Sequence, residues 1–312
     1  GYAVAEAAIG LCALVFHRVF VLATDAAYDS IMPGLGNPHA VNAFKWALSA
    51  LLVLPQSVLL GMTFPLMSAG LIRGYPGSTG GTIAMLYFTN SLGAAAGVLA
   101  SGFVLIAWVG LPGTMLTAGI LNILLALLVW ALAKNMEFAS PEPSRSGTGE
   151  RNPQGYALML SVALLTGAAS FIYEIGWIRM LSMVLGSSTH AFELMLSAFI
   201  LGLAFGGLWI KRRIDGIAAP ERYLGVVQVA MGLFALLTLV VYGHTFEIMQ
   251  WLLETLTRTD SGYLAFNVGS HLIALLVMFP AAFCAGMTLP LITHVLLRRG
   301  TGERAIGAVY AA

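Results

Sequence analysis

Charge is what this sequence has least of. Asp, Glu, Lys and Arg make up 9% of its 312 residues, where soluble domains carry roughly 25%. With 15 basic and 14 acidic side chains, the chain cannot cover a water-facing surface, which excludes a soluble globular domain. Cysteine is scarcer still. Cys12 and Cys284 are the only two, each inside an apolar run, so a disulfide framework and a cysteine-based metal site are excluded. The six histidines include no pair at ligand spacing, which leaves no metal or haem site. A Gly-rich strand–helix phosphate loop, GxSxG, HExxH and CxxC are all missing, so no catalytic residue and no cofactor is assigned. A net charge of +1 gives no reason to expect a nucleic-acid partner.

What is present is apolar. Hydrophobic residues reach 59%, and mean hydropathy is +0.87. Lipid can serve as the outer solvent for such a chain, provided that its backbone is helical and satisfies its own hydrogen bonds. Runs of about 20 apolar residues are long enough to cross a bilayer core. They fall at 2–22, 44–71, 82–108, 114–132, 156–184, 191–210, 223–243 and 263–297, with a ninth starting near Ala305. The expected fold is therefore all-α, a polytopic bundle in the lipid bilayer. Pro55 and Pro65, and Pro280 and Pro290, predict kinks in the two longest runs.

Basic residues set the orientation. Eleven of the fifteen follow even-numbered runs: Arg73, Lys134, Arg145, Arg151, Lys211, Arg212, Arg213, Arg222, Arg298, Arg299 and Arg304. The other side keeps Arg18, Lys45, Arg179 and Arg258. Gly1 and the loop 134–154 are thus expected in the cytoplasm, with the bacterial inner membrane as host. That loop, rich in Pro, Ser and Gly, reads as a flexible linker. Residues 245–258 place Phe246, Met249, Leu252, Leu253 and Leu256 at helical spacing, which predicts an amphipathic helix lying on the outer surface.

The sequence also repeats itself. Gly61-Met62-Thr63-Phe64-Pro65-Leu66 recurs as Gly286-Met287-Thr288-Leu289-Pro290-Leu291 at an offset of 225. Gly10-Leu11 matches Gly232-Leu233 at 222, and Ile83 with Tyr87 matches Ile306 with Tyr310 at 223. Equivalent helices lie six apart, so both copies keep one orientation, as in parallel membrane repeats. The expected domains are 1–133 as the last four helices of a first six-helix repeat and 134–154 as linker. Residues 155–312 then supply four helices of the second repeat and the start of its fifth. Flanking helices are expected outside this sequence.

Chemistry concentrates in the fifth run. Ala163, Gly167, Ser170, Glu174 and Trp177 share one helical face. A carboxylate at that depth is a functional candidate by default, because a charge near the bilayer centre costs about 2.5–3.5 kcal/mol on insertion scales. Tyr173, Glu174, Trp177, Arg179 and Glu193 are the candidate substrate-binding residues, with Glu174 serving a transported ligand or a proton. A structural ion pair is the competing explanation for Glu174. Glu6 reads as a residue snorkelling from a helix end. Gly93 with Gly97, and Gly202 with Gly206, are small-x3-small pairs for close helix packing. His271 and Asn267 share a face at i,i+4.

The stretch from Gly167 to Asp215 carries a resemblance. Its small-residue run, Tyr173-Glu174, Trp177, Arg179, Gly186-Ser187-Ser188 and Ala191-Phe192 resemble the membrane domain of bacterial spermidine-synthase-like proteins. These are also known as fused major-facilitator/spermidine synthase proteins. GMTFPL, GMTLPL and the segment from Tyr87 to Gly113 resemble the family's later motifs. The resemblance implies a major-facilitator-like bundle that anchors, and moves, a polyamine-type cation. It also implies a soluble synthase-like domain beyond Ala312, where any aminopropyl transfer would occur. Lys211-Arg212-Arg213 departs from the Asp-Arg loop signature of major facilitators. Two other classes fit the residues: a stand-alone secondary transporter, and a structural helical subunit of a larger membrane complex.

Overall fold

The computed structural model describes residues 1–74, 79–134, 153–302 and 304–312. Among these, the chain is helical and contains no strand. The helices are α1 (Tyr2–Ala26), α2 (Pro38–Gly74), α3 (Thr79–Ala100), α4 (Ile106–Lys134), α5 (Pro153–Leu185), α6 (Thr189–Lys211), α7 (Pro220–Thr255), α8 (Asp260–Arg298) and α9 (Arg304–Ala311). Seven helical runs are long and apolar enough to cross a membrane. One of them, Thr79–Lys134, covers two of the expected runs. It breaks at Gly110, whose φ of 66° and ψ of 179° are not helical. Glycine adopts that conformation without a Cβ penalty.

The outward surface is that of a membrane protein. Trp46, Trp108, Leu22, Leu51 and Ile172 are each 70–80% exposed. In water such a surface would drive association; against acyl chains it carries no penalty. We conclude that the chain is an integral membrane protein. Residues 135–152, nearly all of the expected linker and with it Arg145 and Arg151, lie outside the described residues.

The chain forms two compact units. One contains α1, α2 and α4, with α1 packed along α4. Gly10 and Gly119 let those two backbones meet, since a Cβ on Gly10 would stand 2.8 Å from the Gly119 carbonyl oxygen. Glu6, on the face of α1 that also carries Ile9, Gly10 and Ala13, is only 6% exposed. The expected snorkelling is therefore corrected: Glu6 turns inward.

The other unit contains α3 and α5–α9. By contact, then, α3 belongs with the later helices. The most extensive contact in this unit is α6 against α8, and its glycines explain it. A side chain on Gly202 would meet Ala282, one on Gly206 would overlap the Phe283 carbonyl, and one on Gly286 would overlap that of Leu203. Bare backbones allow the two helices to touch. Gly93 and Gly97 behave otherwise. Both are exposed with open space around them, because α3 turns Ser91 and Ala95 inward instead. Their expected role in packing has no counterpart among the described residues.

The prolines are absorbed within helices. α2 runs on through Pro55 and Pro65, and α8 through Pro280 and Pro290. In both GMTxPL motifs the residue four before the second proline is glycine, so the carbonyl facing the pyrrolidine ring lies on the least crowded residue. The stretch 245–258 is not a separate surface helix. α7 continues unbroken to Thr255, with Thr245 and Met249 buried and Leu252 filling the space beside Gly269 of α8. Helical spacing was legible there; the partner face was not.

One loop ties the basic end of this unit together. Asp215, just after α6, accepts hydrogen bonds from the backbone N–H of Gly80 and Gly81, each at 3.0 Å. These are free donors of the first turn of α3. Arg298 donates to the Ile217 carbonyl at 3.2 Å, and Arg299 pairs with Glu221 at 3.1 Å.

Candidate functional site

α5 brings its small-residue face to a cavity of about 510 Å³. Ala163, Gly167, Ser170 and Glu174 all line it. Residues from α3, α6, α8 and α9 complete the wall, among them Tyr87, Phe199, Thr288 and Tyr310. The size is that of a small-molecule site. Its polar groups are hydroxyls and one carboxylate, Glu174, which is the only charged side chain among the described lining residues.

Glu174 is half-buried and about 16 Å along the helix from its end at Leu185, by the rise per residue. Among the described residues it makes no hydrogen bond and no ion pair. The competing explanation, a structural pair, finds no partner among the described residues. Thr288 is held in place from both sides. It donates to the Cys284 carbonyl at 3.3 Å and accepts from Gln228 of α7 at 3.0 Å.

The other candidate residues separate from Glu174. Trp177 is 4% exposed and donates its indole N–H to Thr238 of α7 at 3.1 Å. It turns away from the cavity wall and packs beside Phe199, ring centroids 6.3 Å apart. Tyr173 stacks on Trp177 at 5.4 Å. Both read as α5–α7 packing. Arg179 is exposed, one turn and more beyond Glu174, and does not meet it.

Glu193 joins a different cluster. Its carboxylate lies 3.0 Å from Nδ1 of His190 and is buried against Gly102. A Cβ at Gly102 would overlap the carboxylate, so the space exists only because that residue is glycine. Gly102 sits in a π-helical turn, Ser101–Leu105, of the kind common at functional sites. Phe103, its neighbour, stacks on His190 with centroids 4.7 Å apart. Ser188 caps α6 by accepting from Ala191 N at 3.1 Å. One turn further in, His271 meets the Leu194 carbonyl at 3.1 Å, a hydrogen bond to a neighbouring helix.

Tyr87, Thr288 and Tyr310 were not expected at a site, yet each lies in a segment that the internal repetition singles out. IAMLY, IGAVY and GMTLPL all contribute to the cavity wall. No protein-family model, no curated protein and no solved structure matches this chain.

Proposed function

We propose that this chain is the membrane part of a spermidine-synthase-like protein, and that it binds a small organic cation against Glu174. In this reading the chain sits in the bacterial inner membrane with Gly1 and the loop 134–154 on the cytoplasmic side. Its helices form two parallel repeats of major-facilitator type. The bundle anchors the protein and moves its cationic substrate; any aminopropyl transfer belongs to a domain beyond Ala312. The observation that carries the cation site is the unpartnered carboxylate. A membrane carboxylate with no counter-charge among the described residues, opening on a cavity of ligand size, favours a positive guest.

The experiment places a cysteine at Ser170 on the cavity wall, in a chain with Cys12 and Cys284 replaced by alanine. A cationic thiosulfonate reagent should label it several-fold faster than a neutral one of equal size, since a nearby carboxylate concentrates cations. Adding Glu174→Gln should remove the preference. Equal rates in the parent chain would sink the proposal.

A second reading keeps the chain in the membrane as a structural subunit. Gly93 and Gly97, exposed and open, favour it: such a stripe suits a helix supplied by another protein.

A further inference from the structure

The 23 residues of α6 cover about 34 Å at helical rise, slightly more than a bilayer core. Trp209, two residues before the helix ends at Lys211, therefore stands where hydrocarbon gives way to headgroups, the level at which tryptophan is enriched. Arg212 and Arg213 follow it, both exposed. We propose that this end of α6 binds an anionic phospholipid, with the headgroup phosphate on Arg212 and Arg213 and an acyl chain along the aromatic face beside them.

Three observations carry this. First, Arg213 is held in place. Its guanidinium carbon lies 3.9 Å from the centre of the Trp209 ring, and its Nη1 donates to the Trp209 carbonyl at 3.3 Å. The side chain thus folds back toward the bilayer, at the level of lipid phosphates. A guanidinium carries five N–H donors in a fork that matches phosphate. Second, an aromatic patch runs on from Trp209 along two adjacent helices. Trp209 meets Phe283 of α8 edge-on, with ring centroids 6.0 Å apart. Phe283 lies 5.9 Å from Phe279, which in turn meets Phe205 of α6 at 6.1 Å. Phe205 and Trp209 are exposed, so the patch offers apolar surface to a hydrocarbon chain next to the guanidinium. Third, the acids that follow in the chain are engaged elsewhere. Asp215 holds the amides of Gly80 and Gly81, and Glu221 pairs with Arg299. An arriving anion is met by arginine.

Trp209 is a probe of its own site. The full chain, in nanodiscs of phosphatidylcholine, is titrated with brominated phosphatidylglycerol or brominated phosphatidylcholine, whose acyl chains quench tryptophan on contact. Subtracting the signal of Trp209→Phe isolates Trp209. The anionic lipid should quench it at a lipid fraction at least about fivefold lower than the neutral lipid, the effect of one arginine at an anionic surface. Arg212→Gln combined with Arg213→Gln should bring the two lipids level. Arg222→Gln, which removes an exposed charge from the start of α7, should leave the difference in place. Equal quenching by the two lipids in the parent chain would overturn the site, and so would a preference that survives the double variant. An equally large loss in Arg222→Gln would show diffuse attraction to a charged membrane and overturn it too. Loss of the preference on adding inorganic phosphate, at an ionic strength matched with chloride, would make the occupant a soluble anion and overturn the lipid. Size-exclusion chromatography of each variant separates a lost site from a lost fold.

Discussion

Trp177 donates its indole N–H to Thr238 at 3.1 Å, while Glu174, three residues earlier, has no partner for its carboxylate among the described residues. Neighbours on one stretch of α5 therefore have separate duties: Trp177 fastens α5 to α7, and Glu174 faces the cavity. Trp177→Phe should cost about 0.5–1.5 kcal/mol, the usual net worth of one hydrogen bond. Thr238 keeps its bond to the Ala235 carbonyl, so no hydroxyl is stranded. Trp177→Ala should cost about 3–5 kcal/mol by leaving a cavity. Denaturation in detergent reads both, and cation binding should survive Trp177→Phe.

Glycines of the same pattern should respond oppositely to alanine. Gly206→Ala drives a methyl into the backbone of α8 at Phe283, and overpacking of this kind costs about 1–3 kcal/mol. Gly97→Ala meets open space and should stabilise its helix slightly, since alanine is the better helix former by about 0.8–1.0 kcal/mol. Melting temperatures of the two variants should move in opposite directions.

How much of this was legible in the sequence follows from where the information sits. Each helix announces itself, because crossing lipid demands an unbroken apolar run. The face of α5 was also legible, since Ala163, Gly167, Ser170 and Glu174 follow the helical period within one segment. Contacts between distant segments were not. Gly202-x3-Gly206 and Gly93-x3-Gly97 are the same pattern, yet among the described residues only the first meets another backbone. Nothing near Glu193 marks Gly102, about ninety positions earlier, as the residue that makes room for it.

Asp215 should hold the start of α3. Asp215→Ala strands the amides of Gly80 and Gly81, and loss of a helix-capping side chain costs about 0.5–2 kcal/mol. Hydrogen–deuterium exchange should show faster exchange at Gly80 and Gly81, with the α6–α8 contact unchanged. Unaltered exchange at those two amides would contradict the capping role.

The two ends of α7 should lie on opposite sides of the membrane. Its 36 residues span about 54 Å at helical rise, more than a bilayer core. Cysteines at Arg213 and at Ser261, placed singly in a chain lacking Cys12 and Cys284, flank that helix. An impermeant maleimide added to intact cells should label Ser261→Cys and spare Arg213→Cys. Labelling at both positions would contradict the orientation read from the basic residues.

The most direct measurement is made on Glu174→Gln alone: melting temperature and organic-cation binding on one purified sample. With no ion pair to break, the melting temperature should stay near that of the parent while binding is lost. Breaking a buried pair instead leaves a stranded charge and costs about 3–5 kcal/mol. A clear drop in melting temperature with binding intact would show Glu174 to be a structural residue and contradict its role as a ligand.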